Sequence, residues 1–160
     1  MPYLLDANVL IRARRDHYRL KVFPCFWDWI EAKNAAGVVY SVTAIRQELQ
    51  LDADLAPWVQ KRSGLFLAPD SATTSAAATV SGWVKDPARV YRASAVSTFF
   101  AAGDYWLISH ALATGYTVVT HEVPEPLSQR KVKIPDVCKG VGVSWTTPFE
   151  MLQQEGASFP

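Results

Sequence analysis

Cysteine is scarce in this chain. Only Cys25 and Cys138 occur among 160 residues. They lie far apart and outside any CxxC or Cys/His ligand spacing, which argues against a disulfide framework and against a zinc site. A reducing, cytoplasmic setting is the expectation. Long apolar runs are lacking as well: no window approaches the ~18–20 uninterrupted apolar residues of a membrane span. Asp6 breaks the N-terminal apolar residues too early for a signal peptide. The longest uncharged central stretch, Ser71 to Val84, is rich in Ser, Thr and Ala instead. Charge of one sign is not in excess either, with a net charge of +1. A dedicated nucleic-acid binder usually has a more basic balance. Any such role must rest on local clusters, and two exist: Arg12, Arg14 and Arg15 with Arg19 and Lys21, and Arg130, Lys131 and Lys133 with Lys139. The simplest reading of both is a solvated surface.

What is present is a globular composition, 49% apolar and 19% charged. The length suits one domain spanning 1–160, with no repeat and no linker. Tyr3-Leu4-Leu5 reads as a short buried strand ending at Asp6, followed by a basic loop. Phe23, Phe26, Trp27 and Ile30 recur at the spacing of one helix face, with Gly37 as its stop. Val38-Val39-Tyr40 is a second strand, 43–51 a second helix, and Leu65-Phe66-Leu67 a third strand. Residues 70–102 are helical in composition but broken at Asp86-Pro87. Asp104 is placed to N-cap a helix with the apolar stripe Leu107, Ile108, Ala111 and Leu112, closed by Gly115. Residues 116–120 form a strand, 132–135 an edge strand, and Thr147-Pro148-Phe149-Glu150 a capping box opening the last helix. Strands alternating with helices imply an α/β fold with a mainly parallel sheet covered on both faces.

Four acids stand beside these apolar segments: Asp6, Glu48, Asp104 and Glu122. Burying several carboxylates together is costly unless a cation compensates them. In open parallel sheets, sites form outside the carboxyl ends of the strands. Asp6 and Glu122 follow strands, and Asp104 opens the helix before the second of these. Glu48, one helix length beyond another strand, is less determined. Oxygen-rich sites with open positions suit Mg2+ or Mn2+, and such ions activate water and stabilise charge on phosphodiesters. His121 adjoins the set as a loop residue, and His110, well around the helix from Asp104, reads as surface.

The motifs LLDANVLI, TAIRQEL, GDYWLISHALATG and TVVTHE, in this order, resemble the PIN-domain nuclease family, most closely single-domain members such as VapC-type toxins or a related PIN subgroup of uncharacterised small proteins. The resemblance covers nearly the whole chain. It implies a three-layer α/β/α sandwich and Mg2+- or Mn2+-dependent endoribonuclease activity. Carried over position by position, Asp6, Glu48 and Asp104 match the principal metal-binding acids, and Glu122 a fourth that is usually Asp. Asn8 and Thr120 match polar residues that orient those acids, and Asp136 is a further acid to consider. The resemblance also implies an RNA substrate whose backbone Arg12, Arg14 and Arg15 could position. An antitoxin protein partner docking near the Phe26, Trp27 and Trp29 helix, and a homodimer, follow from it too. Two other readings stand beside it. One is a non-catalytic PIN module that binds RNA or protein. The other is a small-molecule phosphohydrolase, against which Asp6-Ala7-Asn8 lacks a D-x-D pattern.

Overall fold

The computed structural model describes residues 1–160. Five short strands form one parallel sheet: β1 (Tyr3–Leu5), β2 (Val39–Val42), β3 (Phe66–Leu67), β4 (Thr117–Val119) and β5 (Trp145–Thr146). Their order is β3-β2-β1-β4-β5. Tyr3 pairs with Val39 on one side and Thr117 on the other, and Leu5 pairs with Val119. β1 is thus the central strand, paired along both edges, and its Tyr-Leu-Leu sequence is buried throughout. A strand covered on both faces has no use for polar alternation.

From β1 the chain steps outward to β2 and β3, then crosses back past β1 to β4 and β5. Right-handed crossovers place the connections of these two halves on opposite faces. One face carries α1 (Ala7–Arg12), α2 (Pro24–Ala35), α3 (Thr43–Leu49) and α4 (Ala56–Gln60). The other carries α5 (Ser71–Lys85), α6 (Ala93–Ala101), α7 (Asp104–Thr114) and α8 (Ile134–Val141). The packing agrees: α5 lies along α7, which also touches α6, α8, β2 and β4, while α1 packs on α3 and α2 on β2. α9 (Pro148–Gln154) ends the chain with the expected Thr147/Glu150 capping box. The architecture is a three-layer α/β/α sandwich. One apolar cluster runs through the sheet, with Leu4, Leu5, Ile45, Leu107, Ile108 and Met151 fully buried. Each such side chain contributes about 1.5–3 kcal/mol relative to exposure. No helix is long and apolar enough to cross a membrane.

Several local expectations need correction. The stretch after Asp6 is no loop: α1 begins at Ala7 and widens into a π turn over Ala13–His17. Residues 132–135 are not an edge strand. Pro135 sits at the start of α8, and the edge position belongs to β5. Proline suits a first helical turn, where the missing N–H would have no intrahelical partner. The Ala-rich region resolves into two regular helices, α5 and α6, with the break where Asp86-Pro87 stands. Asp70 caps α5 through the Thr73 N–H at 2.8 Å.

Candidate metal centre

Because Leu5 pairs with Val119, the residues that leave these two strands become neighbours. The first is Asp6, whose N–H extends the ladder by bonding Val119 O at 3.0 Å. Thr120 Oγ1 donates to Asp6 Oδ2 at 3.0 Å, and both side chains are buried. Asp6 is also the residue before α1, but its side chain makes no capping bond there. The carboxylate therefore lies at the sheet edge where the two halves of the chain diverge, the usual position for a site in such sheets.

Asp104 is the first residue of α7. The capping position is held by Gly103, not by Asp104. Burial, then the charges of Glu122 and Glu48, push the Asp104 carboxyl up to about 7 in spite of the nearby Lys131 ammonium. Burial, with the charges of Asp104 and Glu122, holds Asp6 well above the usual carboxylate range, against the Thr120 hydrogen bond. Mutual repulsion of this kind requires proximity. Asp6, Asp104, Glu122 and Glu48 thus form one electrostatic cluster.

Glu48 reaches the cluster from the last turn of α3, where Oε1 accepts from the Gly103 N–H at 2.5 Å. It supplies to α7 the cap that Asp104 does not, and its other oxygen stays open. Glycine permits this approach: a Cβ at 103 would lie 2.6 Å from Ile45 Cδ1 and 3.0 Å from Glu48 Oε1.

Glu122 is engaged on both oxygens. Oε2 accepts from the Ile134 N–H at 2.8 Å, and Oε1 pairs with Lys131 Nζ at 2.8 Å. Its own N–H donates to Thr120 Oγ1 at 3.1 Å. Asn8 contacts the acids only indirectly: Nδ2 donates to Thr120 Oγ1 at 3.4 Å, and Oδ1 accepts from the His121 N–H at 3.2 Å. Asp136, also buried, accepts from the Glu125 N–H at 3.0 Å and so braces the loop between β4 and α8.

The three arginines are already paired within the chain. Arg14 lies between Asp52 and Asp54, while Arg12 and Arg15 share Asp16 at 3.9 and 3.2 Å. The pairs to Asp16 are solvent-exposed, hence weak and exchangeable for phosphate. Burial, with Arg12 and His17, pushes His121 down to about 4, and its ring packs beside His17 and Phe149. His110 is buried, not on the surface, and faces Thr73 Oγ1 at 3.4 Å. Lys131 is the residue that sequence reasoning missed. Nothing in its spacing sets it apart from Arg130 and Lys133, and only the folded loop brings it to Glu122.

A cavity of about 630 Å³ adjoins the cluster, bordered by Glu48, Gly103, Phe100, Trp106 and Leu51. As a test of fit to a metal, no three His, Cys, Asp or Glu side chains converge to cage an ion. Mg2+ seldom needs such a cage, since it keeps several waters and is held through one or two carboxylates plus substrate phosphates. Asp6, buried, and Asp104, half-buried, have no ion-pair partner of their own and fit that requirement.

A family model described as Domain of unknown function (DUF4411) matches residues 3–159. The chain belongs to the DUF4411 family. No curated protein sequence matches this DUF4411 chain. Solved structures do. One is VapBC2 from Rickettsia felis bound to a DNA fragment from their promoter, at 14% identity and TM-score 0.57, covering 92% of this chain and 98% of that one. Another is VapBC-1 from nontypeable Haemophilus influenzae, at 14% identity and TM-score 0.56 with the same coverage. At that identity the likeness is one of fold. This DUF4411 chain is PIN-like in architecture, as its motifs implied.

Proposed function

We propose that the chain is a Mg2+- or Mn2+-dependent endoribonuclease acting as the toxin of a toxin–antitoxin pair. The observation that carries this reading is the placement of buried Asp6 and half-buried Asp104, carboxylates from different elements, at one sheet edge with Glu48 and Glu122 beside them. The shared fold with VapBC complexes supports the toxin role and a small antitoxin as partner.

In this reading Asp6 and Asp104 would hold the ion, with Glu48 close by. When bound, the ion supplies Lewis acidity, withdrawing charge from phosphate oxygens and making water more acidic. Thr120 keeps Asp6 oriented by donating to Oδ2, and Asn8 keeps Thr120 in place. Arg12 and Arg15 exchange Asp16 for the RNA backbone. Trp106 and Phe100 line the cavity beside Glu48, and in this reading an unstacked base packs there, which favours single-stranded or loop RNA. The test is RNA cleavage with added Mn2+, comparing wild type with Asp104→Asn. Cleavage by the wild type alone is expected, and equal cleavage by both removes the catalytic claim.

A second reading, a non-catalytic PIN module, draws on the fact that both Glu122 oxygens are already engaged. Calorimetry separates the two, because a non-catalytic module has no need of millimolar-range Mn2+ binding. The α2 surface expected to receive an antitoxin helix is partly closed by the chain itself. Phe26 and Trp27 are core residues, and Phe159 packs on Phe26 and Trp29.

A further inference from the structure

We propose that His110 reads a base of the RNA: its Nε2 accepts a hydrogen bond from the exocyclic amino group of an adenine or cytosine seated in the cavity beside Glu48. The proposal rests on the reading of the chain as a ribonuclease and adds which bases it takes. Three observations carry it.

His110 is only 6% exposed, and it borders the cavity of about 630 Å³ that adjoins the acid cluster. Its Nδ1 faces Thr73 Oγ1 at 3.4 Å. Its Nε2 has no hydrogen-bond partner within the chain and is not closed off from solvent. Buried polar atoms normally find partners. A histidine that served packing alone would not leave this nitrogen free at a cavity wall.

The tautomer is the second observation. Thr73 has one hydroxyl proton, and Asp70 Oδ1 accepts it at 2.8 Å. Toward His110, Thr73 Oγ1 can then only accept, so the proton of the neutral ring lies on Nδ1 and the lone pair on Nε2. Burial holds the His110 ring below its ordinary value, against the pull of the Asp70 charge, which keeps it neutral. The cavity is offered an acceptor and not a cation.

The walls around that acceptor are the third. Trp106 lies one helical turn before His110 on α7, so the two side chains are neighbours on one face, and both line the cavity. Gln47, on α3, borders the same cavity with an amide able to donate and to accept. Adenine and cytosine present an amino donor beside a ring-nitrogen acceptor, which His110 and Gln47 match. Uracil and hypoxanthine carry a carbonyl in place of that amino group, which sets lone pair against lone pair at Nε2. A site built to take a hydrogen bond rejects an analogue that cannot make it.

The experiment is fluorescence anisotropy of the full chain with short single-stranded oligoribonucleotides, with Ca2+ in place of Mn2+. Two near-isosteric pairs are compared: cytidine with uridine, and adenosine with inosine. In wild type the amino base should bind about 10-fold or more tightly than its carbonyl partner in at least one pair. His110→Phe should bring that ratio close to one, and His110→Gln, whose amide oxygen stands near the place of Nε2, should keep part of it. Nitrogen-15 shifts should show His110 protonated on Nδ1. Equal binding within both pairs by wild type, a ratio unchanged in His110→Phe, or a ring protonated on Nε2 overturns the proposal. An equal loss of affinity for all four oligomers in His110→Phe marks a merely structural role and overturns it too. The wild-type ratios and the nitrogen shifts need no variant, so they decide the matter even where His110→Phe fails to fold. Base preference without cleavage in Mn2+ supports the base site and overturns the ribonuclease reading. Cleavage without base preference does the reverse, and no binding of any oligomer overturns both.

Discussion

Thr120 Oγ1 has a single proton, and it is directed at Asp6 Oδ2, 3.0 Å away. The same oxygen can then only accept, from Asn8 Nδ2 and the Glu122 N–H. One hydroxyl thus ties the end of β1, the start of α1 and the segment after β4 to a common point. Thr120→Val should weaken Mn2+ binding about 10-fold or more, the usual effect of losing a residue that orients a ligand. Two donors left unpaired should also cost about 1–3 kcal/mol of stability. Thr120→Ser should retain most of both. Calorimetry and urea melts check the pair.

Stability without metal should fall as pH rises. In the folded chain Asp104 titrates at about 7, against an ordinary 3.8. Between those values the native state holds a proton that the unfolded chain has released, so stability decreases with increasing pH across that window. Asp6 is raised as well and acts in the same direction. Asp104→Asn should flatten the decline and raise the melting temperature at pH 8 in chelator. A steeper decline in the variant would contradict the cluster electrostatics.

Adding Mn2+ should reverse that loss. At 100 times its dissociation constant, an ion bound only by the native state stabilises by about 2.7 kcal/mol. For a chain of this size that is a rise of roughly 5–10 °C in melting temperature. Asp104→Asn, stabilised without metal, should show little or no rise. Differential scanning fluorimetry at pH 8 distinguishes the two proteins directly.

Gly103→Ala should act on Glu48. The added Cβ would meet Ile45 Cδ1 at 2.6 Å and Glu48 Oε1 at 3.0 Å, so α3 and α7 must separate or Glu48 must give up the Gly103 N–H. Overpacking of this kind costs about 1–3 kcal/mol, and Mn2+ affinity should fall with it. Urea melts and calorimetry on the same preparation measure both.

Thr147→Ala provides a control away from the acids. Thr147 and Glu150 cap α9 reciprocally, with the Glu150 N–H on Thr147 Oγ1 at 3.2 Å and the Thr147 N–H on Glu150 Oε2 at 3.1 Å. Loss of the hydroxyl should cost about 1 kcal/mol and leave Mn2+ affinity unchanged. A change in affinity would mean that melting and metal binding are not independent here.

Local patterns were enough to mark β1, β4, α7 and the α9 capping box, because each rests on a run of neighbouring residues. They misjudged 132–135, where Val-Lys-Ile-Pro has strand composition but the Ile134 N–H is taken by Glu122 and Pro135 starts a helix. His110 was misread for a related reason. Its position on α7 says nothing of α5, which packs over it and supplies Thr73.

The sequence by itself determined the alternation of strands and helices, the PIN-like order of motifs and the identity of the four acids. These depend on periodicity and on short spacings along the chain. Only the tertiary structure decided that Asp6 and Thr120 share a hydrogen bond, that Glu48 caps α7, and that Lys131 pairs with Glu122 inside the acid cluster. The first two of those contacts join residues 114 and 55 positions apart. They exist because parallel pairing of β1 with β4 and the packing of α3 on α7 bring distant segments together, and local propensity carries no record of either.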